Sequence, residues 1–515
     1  MKKLVSLMLA LVMSLSCLSA LAESSDAVAI TAFISSTLAD DEYNGLTKQY
    51  IIDHIGVDVT MIRGDASNFN QQLALYISSG DIPTLVNTGS YSVWRDYALE
   101  GAWADLTPYL NEEDYPNLFA YVGDKWPLMT IDGKIYGIPQ LTDHRTGHVI
   151  NIRQDWLDQL GLAVPTTLDE YTEVMRAFTQ KDPDGNGIND TYGLSGDGFV
   201  YLAFLMGAFG ATASEYYILN EDGTVTTNAI SEDYKAALTY LRDIYAEGLI
   251  DPEMFTCTET QSQTKWGRGE MGIWSTWRNA SYNAYTKYDF ASMQPDAVID
   301  IIMPPVGKDG DTGVLARDMV AKAAGISYKA SEDEIKASLK FLDWQTSPLG
   351  SNVTYWGIPG EFFDWDEETQ RATWIYQQNN GYGKSGKIKV ENRGGYTIFS
   401  PLGLELNALK LRGIDTPETA LNYKANVMCI EQEPVISNLF TMLLTDEYTE
   451  YNAELTNIFR TNMLAFIMGE KDIETEWDAY VAEYLNAGGE EVRQSLLKVY
   501  NEANGTDYTF AEQAR

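Results

Sequence analysis

Cysteine and histidine are scarce in this chain, with three residues of each among 515. So few cysteines exclude a fold held together by a disulfide framework, because such folds are dense in cysteine. Cleavage of an N-terminal segment would leave Cys257 and Cys429, either as one bridge or as two buried thiols. His144 and His148 are four residues apart but lack the intervening Glu of H-E-x-x-H, so no zinc site is expected.

Basic residues are also few, since 36 Lys and Arg face 74 Asp and Glu for a formal net charge of −38. Such a surface repels nucleic acid and anionic lipid, and it says nothing about the fold. Sequence motifs of catalysis are missing too: there is no G-x-S-x-G, and "GYGKSGKI" at 381–388 has Ile388 where a P-loop requires Ser or Thr. With so many acidic residues, a pair of catalytic carboxylates is not excluded, but no sequence pattern indicates one.

The N-terminus has the pattern of an export signal, which we assign to residues 1–22. Two lysines precede an apolar run over residues 4–15, and "ALA" at 20–22 offers a cleavage site. Cys17 raises the alternative of lipidation, although Ser14 stands where a lipobox requires an apolar residue. Both readings predict a protein that is secreted or at the cell surface, in the second case lipid-anchored to the outer face of the cytoplasmic membrane.

Hydrophobic periodicity predicts an α/β fold. Strand patterns at 27–35, 57–64 and 82–90 alternate with two amphipathic helical patterns, which indicates a parallel sheet with right-handed crossovers. Ligands of such sheets bind beyond the carboxyl ends of the strands, so Asn87 and Trp94 are candidate ligand residues. The mature length predicts at least two domains, and the second half is richer in helical patterns.

The stretch "KDPDGNGINDTYG" at 181–193 has the oxygen spacing of a calcium loop. The predicted ligands of a structural Ca²⁺ are Asp182, Asp184, Asn186, the backbone carbonyl of Ile188, and Asp190. An EF-hand has a bidentate Glu at its twelfth position, where this chain has Gly193, so another group would have to complete the shell. The alternative is an Asx-rich surface turn.

Six stretches together resemble the extracellular solute-binding proteins of family 1, the sugar-binding receptors of ABC importers. They are "SSGDIPTLV" at 78–86, "DLTPYLNE" at 105–112, "DGKIYGIPQ" at 132–140, "IRQDWLDQLGLAVPTTLDEYTEVMRAFTQKDPDGNGINDTYGLS" at 152–195, "YAEGLIDPEMF" at 245–255 and "GRGEMGIWSTW" at 267–277. The resemblance is strongest to large lipoprotein-type members from Gram-positive bacteria, and it spans nearly the whole mature chain in order.

This resemblance implies a two-lobe periplasmic-binding-protein-like fold (type II), each lobe a mostly parallel sheet flanked by helices, with a helix-rich second lobe. We assign 23–143 plus 300–345 to the first lobe, and 144–299 plus 346–515, with the calcium loop at 182–190, to the second. The implied function is capture of an oligosaccharide in the inter-lobe cleft and delivery to the membrane permease subunits of an ABC importer. No catalysis is implied, and we expect a monomer.

Pyranose rings have apolar C–H faces and rims of hydroxyls, so their sites combine flat aromatics with planar hydrogen-bonding groups. The candidate ligand residues are Asn87, Trp94, Gln140, Asp143, Arg145, Trp277, Arg278, Trp356 and Tyr396. Core packing is the alternative for each aromatic. Two other functions stay open: a secreted glycoside hydrolase or polysaccharide lyase, and a receptor for a non-sugar solute on the same fold. A uronate ligand would require clustered Arg and Lys at the site.

Overall fold

The structure is a computed structural model that describes residues 27–35, 42–65, 68–142, 144–280, 290–317, 320–375, 384, 398, 416–441 and 443–511. The predicted signal segment with Cys17, the residues Asp143 and Tyr396, and most of the stretch 381–388 lie outside the described residues. The chain divides into two compact units: a first unit, Met1–Leu141 with Val320–Leu404, and a second unit, Thr142–Met319 with Glu405–Arg515.

Strands and helices alternate along most of the described chain. The strands are β1 Val28–Ser35, β2 Val57–Gly64, β3 Leu85–Asn87, β4 Thr130–Ile131, β5 Lys134–Ile135, β6 Ile138–Leu141, β7 His148–Arg153, β8 Tyr192–Ser195, β9 Tyr217–Leu219, β10 Thr224–Thr227, β11 Met271–Trp277, β12 Ile299–Ile302, β13 Val314–Leu315, β14 Val320–Ile326, β15 Phe363–Asp366, β16 Arg371–Trp374, β17 Val435–Ile436 and β18 Thr509–Phe510. The α-helices are Glu42–Ile55, Phe69–Ser79, Tyr91–Leu99, Pro116–Val122, Gln154–Leu160, Leu168–Gln180, Ala203–Met206, Glu232–Ala246, Glu259–Arg268, Phe290–Met293, Glu332–Thr346, Pro348–Trp356, Pro417–Glu431, Asp446–Ile467, Ile473–Tyr484 and Glu490–Asn504.

The sheet of the first unit has the strand order β2-β1-β3-β14-β6. β1 is parallel to β2 and β3, whereas β14 is antiparallel to β3 and β6, so every strand except β14 runs in one direction. The predicted order of strand, helix, strand, helix and strand over the first three strands is confirmed. The carboxyl ends of β3 and β6 therefore lie at the same edge.

Helix Phe69–Ser79 shows how the local pattern produces these elements. Of the four residues predicted on its apolar face, Phe69 and Leu73 are buried, and Tyr76 and Ile77 are half-buried. Gly80 ends the helix with φ 72°, in the left-handed region that glycine adopts without steric cost. The apolar face thus packs on the sheet side while the glycine stops the helix before β3.

The sheet of the second unit has the order β12-β7-β11-β8. β11 is parallel to β8 and antiparallel to β7, and β7 is antiparallel to β12, so every strand except β7 runs in one direction. Helices Glu232–Ala246, Asp446–Ile467 and Ile473–Tyr484 pack into the same apolar core. Trp477, expected in the core, is 3% exposed. This unit is the helix-rich one.

The two units differ from the predicted lobes in the last third of the chain. Residues 300–319 belong to the second unit, because β12 pairs with β7 there. Residues 346–404 belong to the first unit, where helix Pro348–Trp356 packs on helix Glu332–Thr346. Cys257 and Cys429 are both free thiols, so the predicted alternative of a bridge between them is not realised.

Candidate functional site

Three aromatic rings stand in a row at one edge of the second unit's sheet. The parallel strands β8 and β11 both end at this edge, and the reversed strand β7 begins there with His148 paired to Trp277. The chain that follows β8 brings Tyr201 beside His148, with ring centroids 5.0 Å apart, and the His148 and Trp277 centroids are 5.9 Å apart. We call Tyr201, His148 and Trp277 the aromatic edge.

Trp277 is held closely on one side and is still partly exposed. A Cβ atom added at Gly147 would lie 2.1 Å from Cζ3 of the indole, so only glycine allows this approach. The backbone N–H of Arg278 donates to the Gly147 carbonyl at 3.0 Å, which fixes the chain at the end of β11. The indole therefore has a defined position and an accessible surface, as a stacking platform requires.

Two arginines flank this ring. The guanidinium carbons of Arg278 and Arg317 lie 4.8 and 5.1 Å from the Trp277 ring centroid, within the range of cation–π attraction. Arg278 is only 7% exposed, and its Nε donates to Oδ1 of Asn426 at 2.9 Å. Arg317 is partly exposed and donates from Nη1 to Oγ1 of Thr142 at 3.4 Å.

Helix Pro417–Glu431 holds the segment that leads into β7. The carbonyl of Cys429 accepts from the backbone N–H of Arg145 at 2.7 Å and of Thr146 at 3.2 Å. The Arg145 side chain is half exposed and forms an ion pair with Glu433. The structure thus places Arg145, Trp277 and Arg278, three of the predicted ligand residues, in the same region of the second unit.

Burial and charge set the protonation of the aromatic edge. Burial, followed by the charge of Arg317, lowers the pKa of His148 to about 4, so its imidazole is neutral at pH 7. Burial raises the pKa of Tyr201 to about 12, and the charge of Asp197 adds to the effect. Burial also raises the pKa of Asp197, whose carboxylate accepts from Ser262 Oγ at 3.2 Å.

Tyr201, Arg317 and Asp197 were not among the residues predicted from sequence. Tyr201 and Asp197 follow β8, so the rule that ligands bind beyond strand ends would have selected them had that strand been predicted. Arg317 follows the two-residue strand β13, which is too short to show a periodic pattern. No signal in the sequence indicates its position.

In the first unit, Asn87 and Gln140 come together at the carboxyl ends of β3 and β6. The Asn87 side-chain amide donates to Gln140 Oε1 at 3.3 Å and also to the backbone carbonyl of Ile398. Asn87 is 8% exposed, and Gln140 is half-buried. The two predicted polar residues are therefore neighbours, as the strand-end rule requires.

Trp94 and Trp356 lie in the core of the first unit, so the expectation of a sugar-stacking face at either ring is corrected. Trp94 is 0% exposed, and its Nε1 donates to the Tyr136 carbonyl at 3.3 Å. A Cβ added at Gly137 would lie 2.4 Å from the same nitrogen. Trp356 is 2% exposed and meets the Tyr355 ring edge-on at 4.7 Å. Core packing, the alternative for each aromatic, applies to both rings.

The loop at 182–190 curls as its glycines and Asx residues predict. The Asp182 carboxylate accepts from the backbone N–H groups of Asn186 at 3.1 Å and Gly187 at 3.0 Å. The Asn186 amide donates to Asp184 at 2.7 Å and to Asp190 at 3.3 Å. Gly187 has φ 81°, which permits the sharp turn. The Asp184 and Asp190 carboxylates thus face the Asn186 amide nitrogen, while Asn186 Oδ1 accepts from the backbone N–H of Ile188 at 2.6 Å.

The charge in this loop fits a cation. Burial raises the pKa of Asp184, and the nearby carboxylates of Asp182 and Asp190 add to the effect, so the negative charges destabilise one another. A bound cation would relieve this repulsion. Within the part of the chain that the structure describes, however, no three His, Cys, Asp or Glu side chains are arranged as a ready metal site. The loop therefore has the kinds of oxygen ligand that Ca²⁺ binds, but these ligands are not arranged as a metal site.

Comparison with known proteins gives relatives that match this chain over more than four fifths of its length. The chain is 26% identical to Lipoprotein LipO of Bacillus subtilis over 450 residues, 84% of each protein. It is 26% identical over 473 residues to the fructooligosaccharide ABC transporter substrate-binding protein FusA of Streptococcus pneumoniae, covering 85% of this chain and 83% of FusA.

Solved structures show the same fold. FusA of S. pneumoniae in complex with kestose matches with a TM-score of 0.69 and 23% identity, over 93% of this chain and 100% of that one. The alginate-binding protein AlgQ2 without calcium ion matches with a TM-score of 0.68 and 21% identity, over 92% and 98%. The family model of the bacterial extracellular solute-binding proteins matches residues 40–351, more than half of the chain. The chain belongs to this family of bacterial extracellular solute-binding proteins.

Proposed function

We propose that this protein is the receptor of an ABC importer, which binds an oligosaccharide outside the cell and delivers it to the permease subunits in the membrane. The observation that carries the proposal is the aromatic edge, where a partly exposed indole, an imidazole and a phenol stand beside arginines at strand ends. Such a row offers flat apolar faces and planar donors, which is what sugar rings require. The proposal is supported by the similarity to FusA, a fructooligosaccharide ABC transporter substrate-binding protein, and to the alginate-binding protein AlgQ2.

In this proposal Trp277 is the stacking platform and Arg278 and Arg145 are hydrogen-bonding partners on the second unit. Asn87 and Gln140 are the polar groups of the first unit. Asp143 and Tyr396 remain predictions outside the described residues. The cleft implied by the family resemblance also remains a prediction.

We further propose that the 182–190 loop holds a structural Ca²⁺. The ligands would be the side chains of Asp182, Asp184, Asn186 and Asp190 with the carbonyl of Ile188. The ion would neutralise the loop and join the end of helix Leu168–Gln180 to the start of β8. The proposal is supported by relatives of this chain: FusA has been solved as an EF-hand mutant, and AlgQ2 has been solved without calcium ion.

The proposed location is the outer face of the cytoplasmic membrane or the surrounding medium. Lipoprotein LipO is a relative over most of the chain, which supports an anchor at Cys17 as the alternative to cleavage after residue 22. Among the described helices, none combines the length and the apolar character needed to cross a membrane. Mass spectrometry of the mature N-terminus distinguishes lipidated, cleaved and unprocessed chains.

The proposed function is tested by calorimetry of the mature protein against a panel of oligosaccharides and peptides. We expect saturable binding of at least one oligosaccharide and no binding of peptides. Incubation of the same protein with the parent polysaccharide, followed by analysis of chain length, tests the alternative of a hydrolase or lyase. Shortened products, or binding of peptides alone, would contradict the proposal.

A further inference from the structure

Asp197 lies two residues beyond the end of β8, in the turn that leads into the segment carrying Tyr201. A glycine stands on each side of it, and Gly198 has φ 139°, in the region that favours glycine. Strands β8 and β11 are parallel, so their carboxyl ends meet at one edge of the sheet. The turn thus places a carboxylate at the edge that carries the aromatic edge.

Helix Glu259–Arg268 holds Asp197 from one side. Asp197 Oδ1 accepts from Oγ of the fully buried Ser262 at 3.2 Å. The same hydroxyl lies 3.1 Å from the Glu259 carbonyl, so its single hydrogen is shared between two acceptors. The phenol of Tyr201 also interacts with the carboxylate. These neutral donors orient Asp197 and occupy at most two of the about four lone-pair sites on its oxygens.

A structural acceptor at this position would not require a charge. Burial raises the pKa of Asp197 despite the hydrogen bond from Ser262, and the negative charge of Glu259 adds to the effect. Lys265 of the same helix is paired with Asp251 and Glu253, at 2.6 and 2.7 Å. Ionised Asp197 therefore destabilises the folded protein, whereas an asparagine would accept from Ser262 without this cost. A carboxylate at such a position indicates a function for its charge.

The site has a use for an acceptor. The described polar candidates of the second unit, Arg145 and Arg278, can only donate, because a guanidinium has no acceptor atom. A sugar hydroxyl both donates and accepts, so its hydrogen also requires a partner when the ligand leaves water. Asp197 is half-buried, so a ligand beside Tyr201 can reach its carboxylate from solvent.

We propose that Asp197 binds the ligand directly, accepting hydrogen bonds from two neighbouring hydroxyls of the sugar unit that lies against Tyr201. This inference rests on the proposed function, because it adds a specificity-determining residue to the same site. The two oxygens of one carboxylate can accept from two adjacent hydroxyls at once, and such charge-assisted bonds are about twice as strong as neutral ones. Sugar units that lack these hydroxyls are disfavoured.

Asp197→Asn tests the charge, since it keeps the shape of the side chain. We would titrate wild type and variant by calorimetry with tetrasaccharides of glucose, mannose, galactose, xylose, fructose and galacturonic acid. Each tetrasaccharide that binds the wild type should bind the variant about 10- to 100-fold more weakly, because hydrogen bonds to a charged group are lost. The melting temperature should stay at or above that of the wild type, because the variant removes a partly buried charge.

Two controls separate contact from electrostatic potential. Glu259→Gln removes the neighbouring charge and leaves Asp197 in place, and it should change tetrasaccharide affinity less than about 3-fold, because Glu259 is exposed and screened. Monodeoxy forms of a tetrasaccharide that binds supply the second control. Loss of a contacted hydroxyl should weaken binding to the wild type about 10-fold and to Asp197→Ala less than about 3-fold.

The failures are distinguishable. Equal tetrasaccharide affinity of wild type and Asp197→Asn would overturn this inference and leave the proposed function intact. A loss of affinity together with a fall in melting temperature would also overturn it, because Asp197 would then be a structural residue. Equal weakening by Glu259→Gln would do the same, since the potential and not a contact would be responsible. Absence of binding to every tetrasaccharide would overturn both.

Discussion

Trp94 and Trp277 both lie at or soon after the end of a strand, yet one is buried in the core and the other is partly exposed. Trp94 follows β3 and Trp277 ends β11, and each packs closely against a glycine, Gly137 or Gly147. Trp94 is 0% exposed and contacts the core of the first unit, whereas Trp277 is partly exposed and flanked by two guanidinium groups.

The difference lies in what comes after the strand. β3 ends before a polar turn and helix Tyr91–Leu99, and Trp94 is on the face of that helix that packs against β14. Trp277 is itself the last residue of β11. Because successive side chains of a strand point to opposite faces of the sheet, its position in β11 decides on which face of the sheet the indole lies. A tryptophan after a strand end is therefore a ligand candidate only when its own element leaves the side chain partly exposed.

The largest expected effect is the loss of stability in Trp94→Ala. Removal of this fully buried indole should lower the free energy of unfolding by about 3–5 kcal/mol, because a cavity remains in the core. Denaturant unfolding followed by circular dichroism measures the change. Trp477→Ala, at a second buried indole, is the matched control and should give a similar loss. A loss below about 1 kcal/mol would remove the basis of the comparison.

Calcium removal should destabilise the second unit without touching either tryptophan. A chelator should lower the free energy of unfolding by about 3 kcal/mol if calcium is present at a hundred times its Kd, because the ion binds only the folded loop. Sugar affinity should stay the same within about 2-fold. Calorimetric scans with and without chelator measure the first effect, and Asp184→Asn should reduce the chelator's effect. Metal analysis that finds no calcium in the protein would contradict the prediction.

Trp277→Ala should change binding more than stability. Loss of the stacking face should weaken an oligosaccharide that binds the wild type by about 1–3 kcal/mol, or about 5- to 200-fold in Kd. The melting temperature should stay close to that of the wild type, because the ring is partly exposed. Unchanged affinity together with a large fall in melting temperature would place Trp277 with Trp94, as a core residue.

A titratable ring beside Trp277 gives the smallest expected effect. The unfolded chain protonates His148 near pH 6.5, whereas the folded chain keeps it neutral to about pH 4, so acid favours the unfolded state between these values. This contribution to stability is complete above pH 6.5 and is lost as the pH falls toward 4. Since His148 is partly exposed, we expect a difference of about 1–2 kcal/mol over this range.

The comparison that isolates this effect is His148→Gln, whose side chain does not titrate. Unfolding free energies of both proteins at several pH values give the difference curve, in which the contributions of the many carboxylates cancel. A flat difference curve between pH 6.5 and pH 4 would contradict the prediction.

Local patterns predicted the first unit's early elements well. The helix Phe69–Ser79 and the strands β1 and β2 follow from hydrophobic periodicity. The helix ends at Gly80, because the left-handed conformation there favours glycine. The place of β14 could not be read in this way. In the sequence, β14 follows residues 142–319, which belong to the second unit, yet it pairs within the sheet of the first unit. Strand pairing between residues so far apart in the sequence leaves no local signal.

The candidate site was predicted in part for the same reason. Trp277 and Arg278 were predicted from the stretch "GRGEMGIWSTW" of the family resemblance, and the structure places Trp277 at the end of β11 with Arg278 directly after it. Arg317 reaches the same ring from a distant segment, and its position depends on hydrogen bonds to Thr142 and to the Arg145 carbonyl. Contacts of this kind follow from tertiary structure, which a single sequence does not display.

Asn426 determines where protons lie around the candidate site. A guanidinium can only donate, so the atom of Asn426 that faces Arg278 Nε at 2.9 Å is the amide oxygen. His144 Nε2, 3.2 Å from the same oxygen, must then carry a hydrogen, and Nδ1 faces the hydroxyl of Thr142. Asn426 Nδ2 donates to the Asn422 carbonyl at 2.9 Å, so the amide is oriented from both sides. Arg278 and Asn422 thus determine together which nitrogen of His144 carries a hydrogen, although neither bond involves the histidine.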